Sequence, residues 1–281
     1  MKKKKIIVLS VCLVIIALLL TGIFLIPAAE TGESINDAMR DEVLHETNKI
    51  SLFGLKVNPG LISAFTVTGV LFVFSLIVRI FVIPKFTIVP KKFQLVLETA
   101  VGTFDDMAKS SSPSRNKFLG AYIFTAAAYI FIGTLFELLG LQAVTTLGRS
   151  VALPAPLSDI NGAITLGCLS YLIILGGGIV SNGIKGAGKT LKDFSLPISM
   201  SFRLFGALLS GALVTELVYY YTALSFVLPV VVGVMFTLLH ALIQAYVLTM
   251  LTSLFYGEVS EKPKTVKIKK NKRGNEKCLR S

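Results

Sequence analysis

The chain has 281 residues, of which 53% are hydrophobic and only 16% are charged, and its mean hydropathy is +0.75. These values exclude a soluble globular protein and predict an all-α integral membrane protein. The net charge of +12 does not indicate nucleic-acid binding, because the cations concentrate in tails at positions 2–5 and 262–280, beside apolar runs. Cys12, Cys168 and Cys278 lie far apart, in a spacing that predicts neither a metal site nor a disulfide framework.

Six apolar runs are each close to or above the roughly 20 residues that a membrane-spanning helix requires. The first is preceded by four lysines and could be a signal peptide, but Pro27-Ala-Ala fits a cleavage site poorly and favours an uncleaved anchor. The last two runs have almost no polar loop between them and predict a long C-terminal helical hairpin. We therefore expect five to six transmembrane helices, at residues 6–26, 59–83, 118–140, 162–180, 197–223 and 226–256.

The distribution of Lys and Arg predicts the orientation of these spans, because cytoplasmic loops carry an excess of both residues. If positions 2–5 face the cytoplasm, so do 85–117, 185–192 and the C-terminal tail. Those segments hold 22 Lys and Arg residues, whereas the outer loops, 27–58 and 141–161, hold four. Both termini are therefore expected to be cytoplasmic, unless the first run is removed.

The segment between the second and third spans has the periodicity of an amphipathic helix. Its apolar residues recur at helical spacing from Phe93 to Phe104, and Lys91 and Lys92 precede them. The pattern predicts a helix that lies on the cytoplasmic membrane surface or packs on a partner.

The motif Gly183-Ile-Lys-Gly-Ala-Gly188-Lys189-Thr190 matches the P-loop pattern of nucleotide-binding proteins. A phosphate cradle needs a turn between a strand and a helix of an α/β domain, whereas here one apolar run precedes the motif and another follows it. We therefore expect a short cytoplasmic connector rather than a nucleotide site.

The cation of the C-terminal hairpin is the most informative residue of the chain. Arg203 is the only Lys or Arg between Lys192 and Lys262. A guanidinium at membrane depth costs about 2.5–3.5 kcal/mol or more, so it marks either an ion pathway or a buried partner, unless it snorkels to the membrane surface. Small and hydroxyl residues around it, among them Ser201 and Gly206, favour a packed polar seam.

Few acidic or amide groups occur near the outer ends of the spans. Glu216 follows Arg203 by 13 residues, about 20 Å along a helix, and a carboxylate there favours a wet path. Glu137 is either an interfacial carboxylate or part of an ion path. Asp159 and Asn161 are expected to cap the start of the fourth span, and capping alone could explain Asp159.

The hairpin geometry predicts which residues of the last span face Arg203. With a turn near positions 223–226, Arg203 lies opposite Tyr246 and within one turn of Gln244, whose amide oxygen can accept from a guanidinium. His240 lies one turn from Gln244 and is either a proton relay or an interhelical hydrogen-bonding residue.

The two hairpin spans contain the segments Ser-Phe-Arg203-Leu-Phe-Gly206 and Ala241-Leu-Ile-Gln244-Ala-Tyr-Val-Leu-Thr-Met-Leu251. Together these segments resemble subunit a of the F-type ATP synthase membrane sector. The resemblance extends from about residue 59 to 258 and includes Val89-Pro with Gln94 and Glu98, Glu137-Leu-Leu-Gly140 and Ser158-Asp-Ile-Asn161. It implies three regions: an N-terminal anchor or signal segment with an outer loop (1–58), an ion-channel domain (59–258) and a basic cytoplasmic tail (259–281).

The resemblance implies a non-catalytic stator subunit, which passes protons or Na⁺ through two half-channels to a carboxylate of the rotating c-subunit ring and so drives ATP synthesis. The implied partners are the c ring, the b-subunit peripheral stalk, the remaining ATP synthase subunits and the lipid bilayer, with no nucleic acid, cofactor or metal. The implied location is the cell membrane, with several spans and a cytoplasmic C-terminus. The residues expected to carry ion translocation are Arg203, Gln244, Glu216, Glu137, His240, Asp159 and Asn161.

Three departures from the family pattern concern the ion path. Ala207 replaces an asparagine, Ala212 stands where relatives place an acidic or histidine relay, and Thr237 stands where its partner often lies. Glu216, one turn beyond Ala212, could substitute by a shifted route, and His240 lies about one turn from Thr237. The alternative functions are a secondary transporter or channel that binds a small anion at Arg203, and a membrane-tethered nucleotide-binding protein. No internal repeat supports the transporter.

Overall fold

A computed structural model describes residues 50–52, 55–113, 116–144, 150–220, 228–261, 269–270 and 276–277, together with Ser10, Val14 and Thr21. The rest of the first apolar run and most of the basic tail lie outside the described residues. The expected hairpin turn at 223–226 also lies outside them.

Helices make up nearly all of the described chain, and the strands there are short antiparallel pairs. A π-helical turn (Val78–Val82) and a 3-10 turn (Ile83–Lys85) extend the first helix. The elements are β1 (Ile50–Leu52), β2 (Leu55–Val57), α1 (Pro59–Ile77), α2 (Lys92–Ser111), α3 (Asn116–Leu138), β3 (Gln142–Val144), β4 (Ser150–Ala152), α4 (Ile160–Lys192), α5 (Ser195–Tyr220), α6 (Leu228–Ser260), β5 (Lys269–Lys270) and β6 (Glu276–Lys277).

Five helical segments of the described chain are long and apolar enough to cross a membrane. The fold-class prediction is therefore confirmed: the protein is an all-α, multi-pass integral membrane protein. The first of the six expected spans falls outside the described residues. The segments are Pro59–Lys85, Asn116–Leu138, Ile160–Lys192, Ser195–Thr215 and Val231–Ser260.

The core forms where α3, α4, α5 and α6 pack against one another. Buried residues of α3 recur every three or four positions, as at Leu119, Ile123, Ala127 and Ile130, which places them on one face. α5 contributes Met200 and Leu204 to the same cluster. This core fixes the faces of α5 and α6 that carry the predicted site residues.

The amphipathic segment forms α2, as predicted, and α2 packs against α3 and α6. Gln94 is buried; its Nε2 donates to Glu98 Oε1 at 2.7 Å and to the Thr87 carbonyl at 2.9 Å. On the exposed face a hydrogen bond from Lys109 to Asp105 raises the pKa of Lys109. The helix thus has partners within the chain as well as exposed apolar residues.

The glycine-rich connector is helical and folds back along α4. Gly183 adopts φ +60° and ψ −141°, which only glycine adopts readily, and the chain reverses there. The hydroxyl of Tyr171 donates to the Thr190 carbonyl at 3.1 Å. A straight helix would separate these residues by about 28 Å, so the bond itself requires the reversal.

Close contact with α4 positions the start of α5. A Cβ atom added at Gly167 would lie 2.3 Å from Ser201 Oγ and 3.0 Å from the Pro197 carbonyl oxygen. Only glycine leaves room for this crossing. Ser201 lies two residues before Arg203, so this helix crossing helps to fix the position of Arg203 on the surface of the bundle.

Candidate functional site

Arg203 lies on the outer surface of the helical bundle. Its side chain is exposed, whereas the next residue, Leu204, is 1% exposed and belongs to the core. Among the described residues, no carboxylate lies within ion-pair distance of its guanidinium. The guanidinium is therefore accessible from outside the bundle, on this face of α5.

Gln244 lies on the inner face of α6. It is 6% exposed and lies between buried Ala241 and Ala245. Within the described part of the chain, no hydrogen bond joins its amide to Arg203. The two residues lie on neighbouring helices, and the hydrogen bond that the hairpin geometry allows is not formed among the described residues.

Glu137 and His240 line the same small cavity. The cavity lies between α3, α5 and α6 and has a volume of about 10 Å³, about the least that can hold one water molecule. Thr134 and Thr237 add hydroxyl groups to its wall, and Ala207, Leu208, Gly211 and Phe236 complete the lining. The structure thus joins two of the predicted ion-path residues, and two of the three departures from the family pattern lie beside them.

The hydrogen bond of His240 defines which ring nitrogen can exchange a proton. Nδ1 lies 2.8 Å from the Phe236 carbonyl oxygen, which can only accept, so Nδ1 carries the hydrogen. In the neutral ring, Nε2 then holds the lone pair and can accept a proton. The ring also stacks on Phe236, with centroids 5.8 Å apart. These contacts hold the imidazole in a fixed orientation.

Asp159 caps α4, as the sequence predicts. Its Oδ1 accepts from the Asn161 main-chain nitrogen at 3.0 Å, and its Oδ2 accepts from Asn58 Nδ2 at 3.0 Å. Asp159 therefore ties the start of α4 to the start of α1. Asp159 and Asn161 also line a cavity of about 370 Å³ between α1, α3 and α4, with Tyr129 and Thr165 among its other polar residues. This cavity and the Glu137–His240 cavity involve different residues of α3.

Glu216 lies within α5, but its side chain is outside the described part of the structure. Ala212, at the expected relay position, is half-buried on the same helix. The prediction that Glu216 takes over from Ala212 therefore stays a prediction.

The connector carries two polar residues whose role the sequence did not indicate. Lys189 Nζ donates to the Glu258 carbonyl at 2.8 Å, and Asn182 Nδ2 donates to the Val259 carbonyl at 2.7 Å. Both acceptors belong to the last turn of α6. The lysine of the P-loop-like motif thus contacts a helix terminus of its own chain. The capping preference of Lys near helix C-termini is a weak signal that could have suggested this contact.

The fold and these groups define a multi-pass helical membrane protein whose two C-terminal helices carry ionisable residues within apolar segments of span length. Residues 61–257, well over half of the chain, match the family described as ATP synthase A chain. The chain belongs to this family, as the resemblance predicted.

Individual relatives extend the similarity to much of the chain. ATP synthase subunit a from two strains of Cereibacter sphaeroides is 27% identical over 180 residues, which covers 60% of this chain and 69% of each relative. ATP synthase subunit a 2 from Vibrio campbellii is 23% identical over 259 residues, or 83% of this chain and 99% of the relative.

Proposed function

We propose that this chain is the stator ion-channel subunit of an F-type ATP synthase. It passes protons or Na⁺ through two half-channels to a carboxylate on a rotating ring of c subunits. The observation that carries the proposal is the exposed Arg203 on the hairpin of a chain that belongs to the ATP synthase A chain family.

Arg203 acts on the rotor by electrostatic attraction. A guanidinium stays protonated throughout the physiological pH range and cannot relay the ion itself. It attracts the ionised ring carboxylate and blocks a direct leak between the half-channels. Each charge that crosses releases about 2.3 kcal/mol per 100 mV of membrane potential, which drives rotation.

The outer half-channel leads toward the hairpin through the polar residues of α3, α4 and α6. Asp159 and Asn161 hydrate its mouth, and Glu137 and His240 exchange protons at the small cavity they share. The fixed orientation of His240, with Nε2 as acceptor, supports this role. Gln244 lies one turn further along α6, on the inner face that the path follows, and Glu216 lines the path from α5.

The chain itself performs no catalysis and needs no cofactor in this function. Its partners are the c ring, the b-subunit peripheral stalk and the remaining synthase subunits. It lies in the cell membrane with its C-terminus in the cytoplasm, because the basic tail follows the positive-inside rule.

Purification of the tagged chain from native membranes in mild detergent tests this function. The expected result is co-isolation with a ring of small c subunits and with the soluble ATPase subunits. A lone chain that binds a small anion would identify a transporter instead. Nucleotide bound by the lone chain would support the alternative that the motif at residues 183–190 is a nucleotide-binding P-loop.

A further inference from the structure

The last turn of α6 needs hydrogen-bond donors from outside the helix. The final four carbonyl groups of an α-helix have no partner within it. In α6 two of these belong to Glu258 and Val259, and Lys189 and Asn182 satisfy them. Positive charge at a helix C-terminus is also favourable to the helix dipole.

Both donors are held in place by the reversal of the connector. Asn182 precedes Gly183, and Lys189 follows it on the segment that folds back along α4. Lys189 Nζ also lies 3.2 Å from Glu258 Oε1, but both side chains are about half exposed, and such pairs contribute little. The main-chain acceptor is therefore the more important contact.

A second element holds the same end of α6 from the side of α2. The hydroxyls of Ser112 and Ser260 lie 3.1 Å apart, and Ser112 also donates to Glu261 Oε1 at 3.1 Å. The hydroxyl of Ser253 donates to Ser111 Oγ at 2.9 Å. Polar contacts from the connector and from the end of α2 thus both hold the C-terminal end of α6.

We propose that Lys189 and Asn182 are positioning residues, which clamp α6 so that its inner face keeps its place while the rotor turns. This inference rests on the proposed function. Attraction between Arg203 and the ring exerts a lateral force on the hairpin of α5 and α6. α6 is an uninterrupted helix of 33 residues, so fixing its end also fixes Gln244, about 21 Å away. A released end lets the half-channel groups shift, and ions then pass without rotation.

The experiment uses the complete ATP synthase, purified and reconstituted in liposomes. It measures the ions transported per ATP hydrolysed, with a pH-sensitive dye and with radioactive Na⁺ in parallel. The test variants are Lys189→Met and Asn182→Ala, and Lys189→Arg is the conservative rescue. Glu258→Gln removes the side-chain ion pair but leaves the main-chain acceptor. Lys185→Met is the matched control. Lys185 and Lys189 both line a cavity between the connector and the end of α6, but Lys185 makes no hydrogen bond with described residues.

We expect Lys189→Met and Asn182→Ala to assemble and hydrolyse ATP, but with a coupling ratio below that of the wild type, because each variant leaves one terminal carbonyl of α6 without its donor. Lys189→Arg should restore the ratio, and Glu258→Gln and Lys185→Met should keep it. Amide hydrogen exchange at residues 257–261 should become faster in the two test variants only.

An unchanged coupling ratio in Lys189→Met would overturn the clamp, even if hydrogen exchange became faster. So would an equal loss in Lys185→Met, or failure of Lys189→Arg to restore coupling. Failure of the proposed function looks different, because the wild-type chain would then not assemble with a ring and no coupling ratio could be measured.

Discussion

Glu137 at the end of α3 and His240 in α6 line one cavity of about 10 Å³, although the intervening chain includes α4 and α5. A cavity of this size is about the smallest that can hold one water molecule. The cavity thus places two ionisable side chains beside Thr237.

Glu137→Gln and His240→Gln should each slow ion transfer about a hundredfold, because neither amide can exchange the proton that a general acid or base exchanges. The measurement is the initial rate of ATP synthesis driven by an imposed ion gradient in inverted membranes. If both residues serve one path, the double variant should be no slower than the slower single variant.

His45→Gln is the matched control for the histidine, since the chain has two histidines and His45 belongs to neither apolar hairpin helix. It should leave the rate unchanged. A wild-type rate in His240→Gln, with normal assembly, would show that His240 is only a hydrogen-bonding residue of the bundle.

Glu216→Gln should slow ion transfer and leave the fold nearly intact, if Glu216 performs the role absent at Ala212. Moving the carboxylate back one turn, as Ala212→Glu with Glu216→Ala, should restore part of the flux, because positions i and i+4 share a helix face. Flux through Glu216→Gln equal to that of the wild type would leave Glu137 and His240 as the proton-exchanging groups.

Asp159→Asn should keep both the helix cap and the ion flux, because an amide oxygen can accept the same main-chain hydrogen bond. Asp159→Ala should lower the free energy of unfolding by about 1 kcal/mol, because the cap is lost. Thermal unfolding and gradient-driven ATP synthesis separate the two roles. A large loss of flux in Asp159→Asn would assign the carboxylate to the ion path.

Gly167→Ala should destabilise the protein by about 1–3 kcal/mol, because the new methyl group collides with Ser201 and the Pro197 carbonyl. Gly176→Ala is the matched control on the same helix, since a Cβ there has no neighbour within 4 Å. Thermal unfolding in detergent compares the two variants. Equal midpoints would show that α5 does not depend on this crossing.

The five described spans could be predicted from the sequence because each is a nearly continuous apolar stretch, which hydropathy reports directly. The cap at Asp159 was also predictable, since capping depends on residues close in sequence. The shared cavity of Glu137 and His240 was not, because it depends on how α3 packs against α6. No local pattern encodes that contact.

The connector separates what local sequence predicts from what packing decides. Its flanking apolar runs argue against a phosphate cradle, and this prediction needs the sequence alone. The reversal at Gly183 and the contact of Lys189 with α6 depend on a positive φ angle and on long-range packing. A glycine-rich sequence permits such a reversal without specifying it.

Arg203→Ala gives the most direct test of the account. The variant should assemble into the complete complex but make no ATP from an imposed ion gradient, because the attraction to the ring carboxylate is gone. Arg203→Lys should also be severely impaired, since an ammonium lacks the planar guanidinium fork and can lose its proton when desolvated. Gradient-driven ATP synthesis at the wild-type rate in assembled Arg203→Ala membranes would contradict the central claim.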